Sequence, residues 1–252
     1  MNCNCLISSK TNRKIVLYFL LLLTVSCQVT ETLQLNPDGT GTIEVKELRE
    51  ENSYLQLAKD EYSKEDIYRD TTYVFKDYFS KYAETFARTS KEDQNVYLRY
   101  SDVKVHIKKS SSEKEFRTLI SQNFKNATDI VDLYKVEDYA DNIKNNYALS
   151  AEEHYYKVSY SYAGNRFKRT VKITDSIFLK REFDRLEKYK TYYKGLKLVQ
   201  SYVLNYHFPR KIQSVSNPQA KISENQKSLS VEFLLSDCLQ NPEITNLEVV
   251  LE

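Results

Sequence analysis

Strict period-two alternation, repeated in pairs across short turns, constrains this chain more than any other feature. Tyr156, Val158, Tyr160 and Tyr162 alternate with Lys157, Ser159 and Ser161. Ala163-Gly164-Asn165 turns the chain, and Phe167, Arg169, Val171 and Ile173 return. Successive strand side chains point to opposite faces, so each run buries one side and wets the other. An earlier pair has Leu33 and Leu35 on one face, then Asn36-Pro37-Asp38-Gly39-Thr40-Gly41, then Thr42-Ile43-Glu44-Val45. Pro37 and Asp38 initiate that turn, and Gly39 supplies a positive φ. Val103, Val105 and Ile107 form a third run; Ser110-Ser111-Ser112 is its turn, and Glu115 to Phe124 reads as the returning strand. Tyr202, Leu204, Tyr206 and Phe208 share one face until Pro209 ends the run. Leu229, Val231, Phe233 and Leu235 alternate, and Leu247, Val249 and Leu251 predict a paired strand at the C-terminus.

Between these runs the period changes to that of a helix. Phe79, Tyr82, Ala83 and Phe86 make one stripe, with Asp77 as its cap. Ile130, Leu133, Tyr134 and Ile143 make a second, starting from Asn126-Ala127-Thr128-Asp129. The third follows the cap Thr174-Asp175-Ser176 with Leu179, Phe183, Leu186, Tyr189, Tyr193 and Leu196, and Gly195 ends it. Leu48 to Arg69 is charged and weakly patterned, and reads as a connection. Hairpins separated by single helices predict an α+β fold: an antiparallel sheet built from hairpins, with about three helices packed on one face.

The N-terminus carries a different signal. Lys10, Arg13 and Lys14 precede an apolar run from Ile15 to Val25, and Ser26-Cys27 follows. A cationic segment, a short apolar segment and a small residue before a cut are the parts of an export signal. The run is shorter than the roughly 20 apolar residues of a membrane span. A plain secretory signal would leave Cys27 as a thiol. Thr24-Val25-Ser26-Cys27 instead resembles the lipobox of bacterial lipoproteins, although Leu23 lies one position earlier than the usual leucine. That resemblance implies cleavage after Ser26, at least two acyl chains on Cys27 and attachment to a membrane. Residues 1–26 are then the signal peptide, and 27–252 form one lipid-anchored domain. Cys3 and Cys5 leave with the signal, so Cys238 is the single remaining thiol, expected to be half-buried and structural.

Composition removes several classes of function. The formal charge of +2 drops to near zero without the signal segment, which is no basis for nucleic-acid binding. The chain has only 4 Gly, and none can be arranged as a nucleotide-binding glycine loop. There is no nucleophile elbow and no pair of histidines with zinc spacing. His106, His154 and His207 are far apart and read as surface or sheet-rim residues, so no metal site or cofactor is expected. The 21 Tyr suit half-buried faces that keep a hydroxyl wet.

Glu31-Thr32-Leu33-Gln34-Leu35-Asn36-Pro37-Asp38-Gly39-Thr40-Gly41, close behind the cysteine, resembles a segment of uncharacterised flavobacterial-type envelope lipoproteins of Bacteroidota. Tyr206-His207-Phe208-Pro209-Arg210-Lys211-Ile212-Gln213-Ser214-Val215-Ser216-Asn217 is similar to the same group, and the hairpin-first layout resembles LppM-like lipoproteins. The resemblance implies the cell envelope and transfers no catalytic residue. Gln28 in place of Asp after Cys27 favours the outer membrane over the inner one. The expected role is a binding or envelope-assembly component, with the membrane through acylated Cys27 and an envelope protein as partners. Tyr202, Tyr206 and Phe208 are the candidate ligand or partner face, or else simply core. Two other roles remain open: a carboxylate hydrolase using acids such as Asp70, Asp77, Asp102 or Asp237, and a lipid-carrying chaperone.

Overall fold

The computed structural model describes residues 27–145, 155–192, 194–196 and 198–252. Residues 1–26, which the sequence leads one to expect to be a signal peptide, lie outside the described residues, as do His154 and Tyr193. Among the described residues, twelve strands form two sheets. The larger contains β1 (Cys27–Leu35), β2 (Gly41–Arg49), β3 (Tyr68–Val74), β4 (Lys104–Ser110), β5 (Glu115–Phe124), β8 (Ser201–His207), β10 (Lys221–Ile222) and β11 (Ser228–Leu234), in the order β10-β11-β8-β1-β2-β5-β4-β3. The smaller contains β6 (Tyr156–Ala163), β7 (Arg166–Ile173), β9 (Ile212–Val215) and β12 (Leu247–Leu251), in the order β6-β7-β12-β9.

The hairpins read from alternation are present: β1-β2, β4-β5 and β6-β7 pair antiparallel. The fold class is α+β, but the architecture is richer than three helices on one face. Seven α-helices occur among the described residues: α1 (Glu51–Ala58), α2 (Asp77–Lys81), α3 (Ala83–Arg88), α4 (Lys91–Leu98), α5 (Val136–Asn145), α6 (Ser176–Tyr192) and α7 (Leu235–Gln240). The first stripe breaks at Tyr82, whose φ of −122° separates α2 from α3. Asp77 does not cap that stripe as expected; its carboxylate accepts from the Val74 amide instead. Asn126 opens a single 3-10 turn, and the long helix begins only at Val136. The connection from Leu48 holds α1, where Glu50 accepts from the Asn52 and Ser53 amides. One pairing has no signature in the alternation: β1 lies parallel to β8, with Leu33 beside Tyr206.

The second sheet, rather than a helix, covers the β8 face that carries Tyr206 and runs on to Phe208. Phe167 of β7 sits edge-on to both Tyr206 and Phe208, with ring centroids 5.5 Å apart in each case. A separate aromatic group packs α2 and α4 onto the sheet around fully buried Phe75, which touches Phe79, Tyr97 and Tyr100.

The two sheets meet at a buried ion pair. Glu31 occupies a core-facing position of β1 between Val29 and Leu33, and all three are fully buried. Arg169 of β7 reaches it with Nε 3.1 Å from Oε1 and Nη2 3.2 Å from Oε2. Tyr160 and Tyr206 hydroxyls donate to Oε1, while Tyr134 and Tyr202 hydroxyls donate to Oε2 at 2.9 Å each. Arg169 Nη1 donates to the Thr245 hydroxyl and carbonyl. Burial alone would raise the Glu31 pKa, but the Arg169 charge and the hydrogen bonds of Arg169, Tyr206 and Tyr160 outweigh it and hold the carboxyl below its ordinary value. Removing one partner of such a pair leaves an uncompensated buried charge. Glu31→Leu should therefore lower stability by about 3–5 kcal/mol, and adding Arg169→Met should recover part of the loss. Urea midpoints of the two single variants and the double variant test this; strictly additive losses would contradict it.

On α5, Glu137 shows the opposite balance. Desolvation, with the nearby Glu47 charge, pushes its carboxyl up to about 8. The folded protein thus keeps a proton that the unfolded chain has already released above the ordinary value of 4.5. Stability should fall as pH rises between these two values. Glu137→Gln should flatten that fall and stabilise the protein at the alkaline end, as thermal melts across the range would show.

Candidate functional site

At the end of the sandwich away from Cys27, the β1-β2 turn, the end of β5, the β6-β7 turn and the segment after β8 approach one another. They enclose an open cleft of about 490 Å³ lined by Pro37, Asp38, Gly39, Asn126, Ala127, Thr128, Tyr162, Gly164 and Arg210. The local sequence explains its walls. Gly39 and Gly164 adopt φ of +85° and +62°, which tight reversals need and which L side chains resist. Asp38 accepts from the Thr40 amide at 3.0 Å and from the Thr40 hydroxyl at 2.8 Å, and Asn36 donates to that same hydroxyl. These bonds, the Thr40 hydroxyl first, hold the Asp38 carboxyl below its usual range. Across the cleft, Arg210 Nη2 donates to the Tyr162 hydroxyl at 2.9 Å and to the Gly164 carbonyl at 2.7 Å, and Nη1 donates to the Glu252 carbonyl. Asn126 is fixed by its amide and side chain, both donating to Asp129.

The cleft therefore offers one guanidinium, one carboxylate, a phenol, an amide and a threonine hydroxyl on rigid turns. That array can hydrogen-bond a polar, uncharged or zwitterionic group from several sides. The one hydroxyl bonded to its carboxylate, Thr40 on Asp38, also accepts from Asn36, so both are held within the turn. No group of three or more His, Cys, Asp or Glu poised for a metal occurs among the described residues.

Other residues singled out from sequence lie elsewhere. Tyr202, Tyr206 and Phe208 are buried between the sheets, so this proposed ligand face is core, and the hydroxyls of Tyr202 and Tyr206 are engaged by Glu31. Asp70, on edge strand β3, faces His106 at 2.9 Å and Lys108 at 3.5 Å. Asp77 starts α2, Asp102 precedes β4, and Asp237 lies on α7, so these acids belong to separate elements. Cys238 is buried outright rather than half-buried, and burial pushes its thiol up to about 12. Cys27 is the first residue of β1, opposite Arg49 of β2.

No protein-family model matches the chain, and no curated protein matches it. Among solved structures, the NMR structure of the folded domain of the Mycobacterium tuberculosis LppM protein is similar over 90 % of each chain, at 9 % identity and a TM-score of 0.35. Likeness at that level carries no argument. The flavobacterial resemblance has no counterpart in these comparisons.

Sequence reasoning found the turn at Pro37 to Gly39 but missed Arg210 and Tyr162 as its neighbours. The Phe208-Pro209-Arg210 segment signalled only the end of a strand. Gly41, beside the cleft, has a second role: a Cβ there would strike the Gln34 carbonyl and the Phe124 ring. Gly41→Ala should cost about 1–3 kcal/mol by overpacking, seen as a lower urea midpoint. At Gly39 the space is open and only the backbone resists, so Gly39→Ala should cost about 1–2 kcal/mol.

Proposed function

We propose that the chain is a lipid-anchored envelope protein that holds a polar ligand or partner in the cleft formed by its turns. The observation that carries this reading is the position of Cys27. It is the last residue of the lipobox-like segment and the first residue of the strand β1, near the middle of the larger sheet. A lipid on Cys27 would fix that end of the sandwich to the membrane with no spacer. The nine residues of β1 then carry the Pro37-Asp38-Gly39 turn roughly 30 Å outward. The cleft would face away from the bilayer, toward whatever the envelope presents. Gln28, in place of an aspartate after the anchor, favours the outer membrane.

Binding is favoured over carboxylate hydrolysis because Asp38 is the only acid lining the cleft among the described residues and is already committed to Thr40, whereas glycoside chemistry takes a pair of carboxylates. Lipid carriage is disfavoured because the β8 face is filled by the second sheet. Intact mass and membrane fractionation of wild type and Cys27→Ala, expressed in a Bacteroidota host, test the anchor. The expected result is a membrane-bound product starting at acylated Cys27, and a Cys27→Ala product that is unprocessed or released. Unlipidated protein in both preparations would overturn the reading.

A further inference from the structure

The end of the sandwich that carries Cys27 differs from the cleft end. Register places its members. Leu48 pairs with Arg117 and Cys27 with Arg49, so α1, which begins at Glu51, lies at this end. Ser201 pairs with both Gln28 and Leu234, so the segment before β8 and the end of β11 lie there too. Tyr68 enters by way of β3-β4-β5, opposite Ser110, which pairs with Glu115. Leu55, Tyr68, Val199 and Leu234 are all exposed apolar or aromatic side chains at this one end.

Helix α6 crosses the same end. Glu31 and Arg169 mark the mid-height of the sandwich. Cys27 lies four residues from the first, and Ile173 four from the second, both away from the cleft. The helix starts three residues after Ile173, and the chain returns to Ser201 beside β1. Its inner side is fixed: Phe178 packs edge-on against Tyr155, and Lys190 and Glu187 bracket Gln240 of α7. Its outer side is a continuous face of Ile177, Lys180, Arg181, Asp184, Arg185 and Lys188. Ile177 is 84 % exposed. An apolar side chain standing among Lys180, Arg181, Lys188 and Arg185, the last paired with Glu182 at 2.6 Å, and the single anion Asp184 has the chemistry of a helix lying in a bilayer interface, with cations for phosphate headgroups and an aliphatic group for the acyl boundary.

We infer that this end, together with the outer face of α6, docks on an anionic phospholipid surface and sets the tilt of the domain on its membrane. The inference rests on the lipid-anchored reading, because the anchor would hold this end within reach of the headgroups. Isolated surface hydrophobics are ordinary on soluble proteins. Their concentration at the Cys27 end beside a cationic helix is what identifies the occupant as lipid.

The chain has no Trp, so a single introduced tryptophan reports its own surroundings. Residues 27–252 hold every described strand and helix. Prepared with Cys238→Ser, this segment can be coupled through Cys27 to a maleimide lipid in phosphatidylcholine vesicles containing about one third phosphatidylglycerol. The tether replaces the acyl anchor, so the result is independent of whether cells lipidate Cys27. Ile177→Trp emission should shift to shorter wavelength and be quenched by brominated lipid, whereas Thr128→Trp in the cleft should do neither. Arg181→Glu with Lys188→Glu, both on the solvent side of α6, should abolish the Ile177→Trp shift, as should vesicles of phosphatidylcholine alone. Circular dichroism of each variant checks that the fold is kept. Absence of the Ile177→Trp shift, equal shifts at both reporters, or a shift indifferent to charge would overturn the docking face. If docking occurs while cellular protein proves unlipidated, the anchor reading fails and the membrane face stands.

Discussion

Glu31 is an acid in a position that alternation reserves for an apolar residue, and the joint between the two sheets depends on it. Taken out of water, a carboxylate is tolerable only with a countercharge and with its lone pairs filled. Arg169 supplies the charge, and four tyrosine hydroxyls from β6, β8 and the segment before α5 fill the lone pairs. Hydrophobic contact alone would let two sheets slide or rotate on one another. A carboxylate that must meet five donor residues on four different elements allows one arrangement. The 21 tyrosines acquire a structural meaning here: part of this supply of phenols is spent inside the protein, on a single anion.

Arg49 applies the same chemistry at smaller scale near the Cys27 end. Its guanidinium lies 3.2 Å from the centre of the Phe116 ring and 3.8 Å from that of Tyr54, and it donates to both Glu51 and Glu65. That bracket fixes α1 and the 3-10 turn after it against the end of β2. Buried charges on core strands thus do two jobs, joining the sheets at mid-strand with Glu31 and Arg169 and fastening a connection at the end of β2 with Arg49.

Much of the fold was legible because hairpins are local. Leu33 and Leu35, the Pro37 to Gly39 turn, and the run from Tyr156 to Ile173 announce strand, turn and register within about twenty residues. The C-terminal strand was equally plain from Leu247, Val249 and Leu251. What sequence did not show was non-local. The parallel pairing of β1 with β8 leaves no mark on either strand. The covering of β8 by a second sheet looks the same in sequence as covering by helices, since both ask only for an apolar face. The candidate cleft was half legible: its turn could be read at Pro37 to Gly39, but Tyr162 and Arg210 are brought to it by separate strands. Glu31 appeared as an ordinary polar residue within an alternating run, and Arg169 was counted on the same face as Phe167 and Val171 without its partner being evident.

The parallel β1-β8 pair also governs the order of events in folding. The first strand of the domain must wait for a partner that begins at Ser201, after most of the chain has been made. β1 can pair early with β2, but its other edge stays open until β8 arrives, and that closure carries the entropy of a very long loop. Closure at β8 brings Tyr202 and Tyr206 to Glu31 in the same event, so the buried acid is without two of its donors until then. The larger sheet is consequently sealed from its middle at a late step, and the free edge of β1 is the surface that stays open to other strands until then.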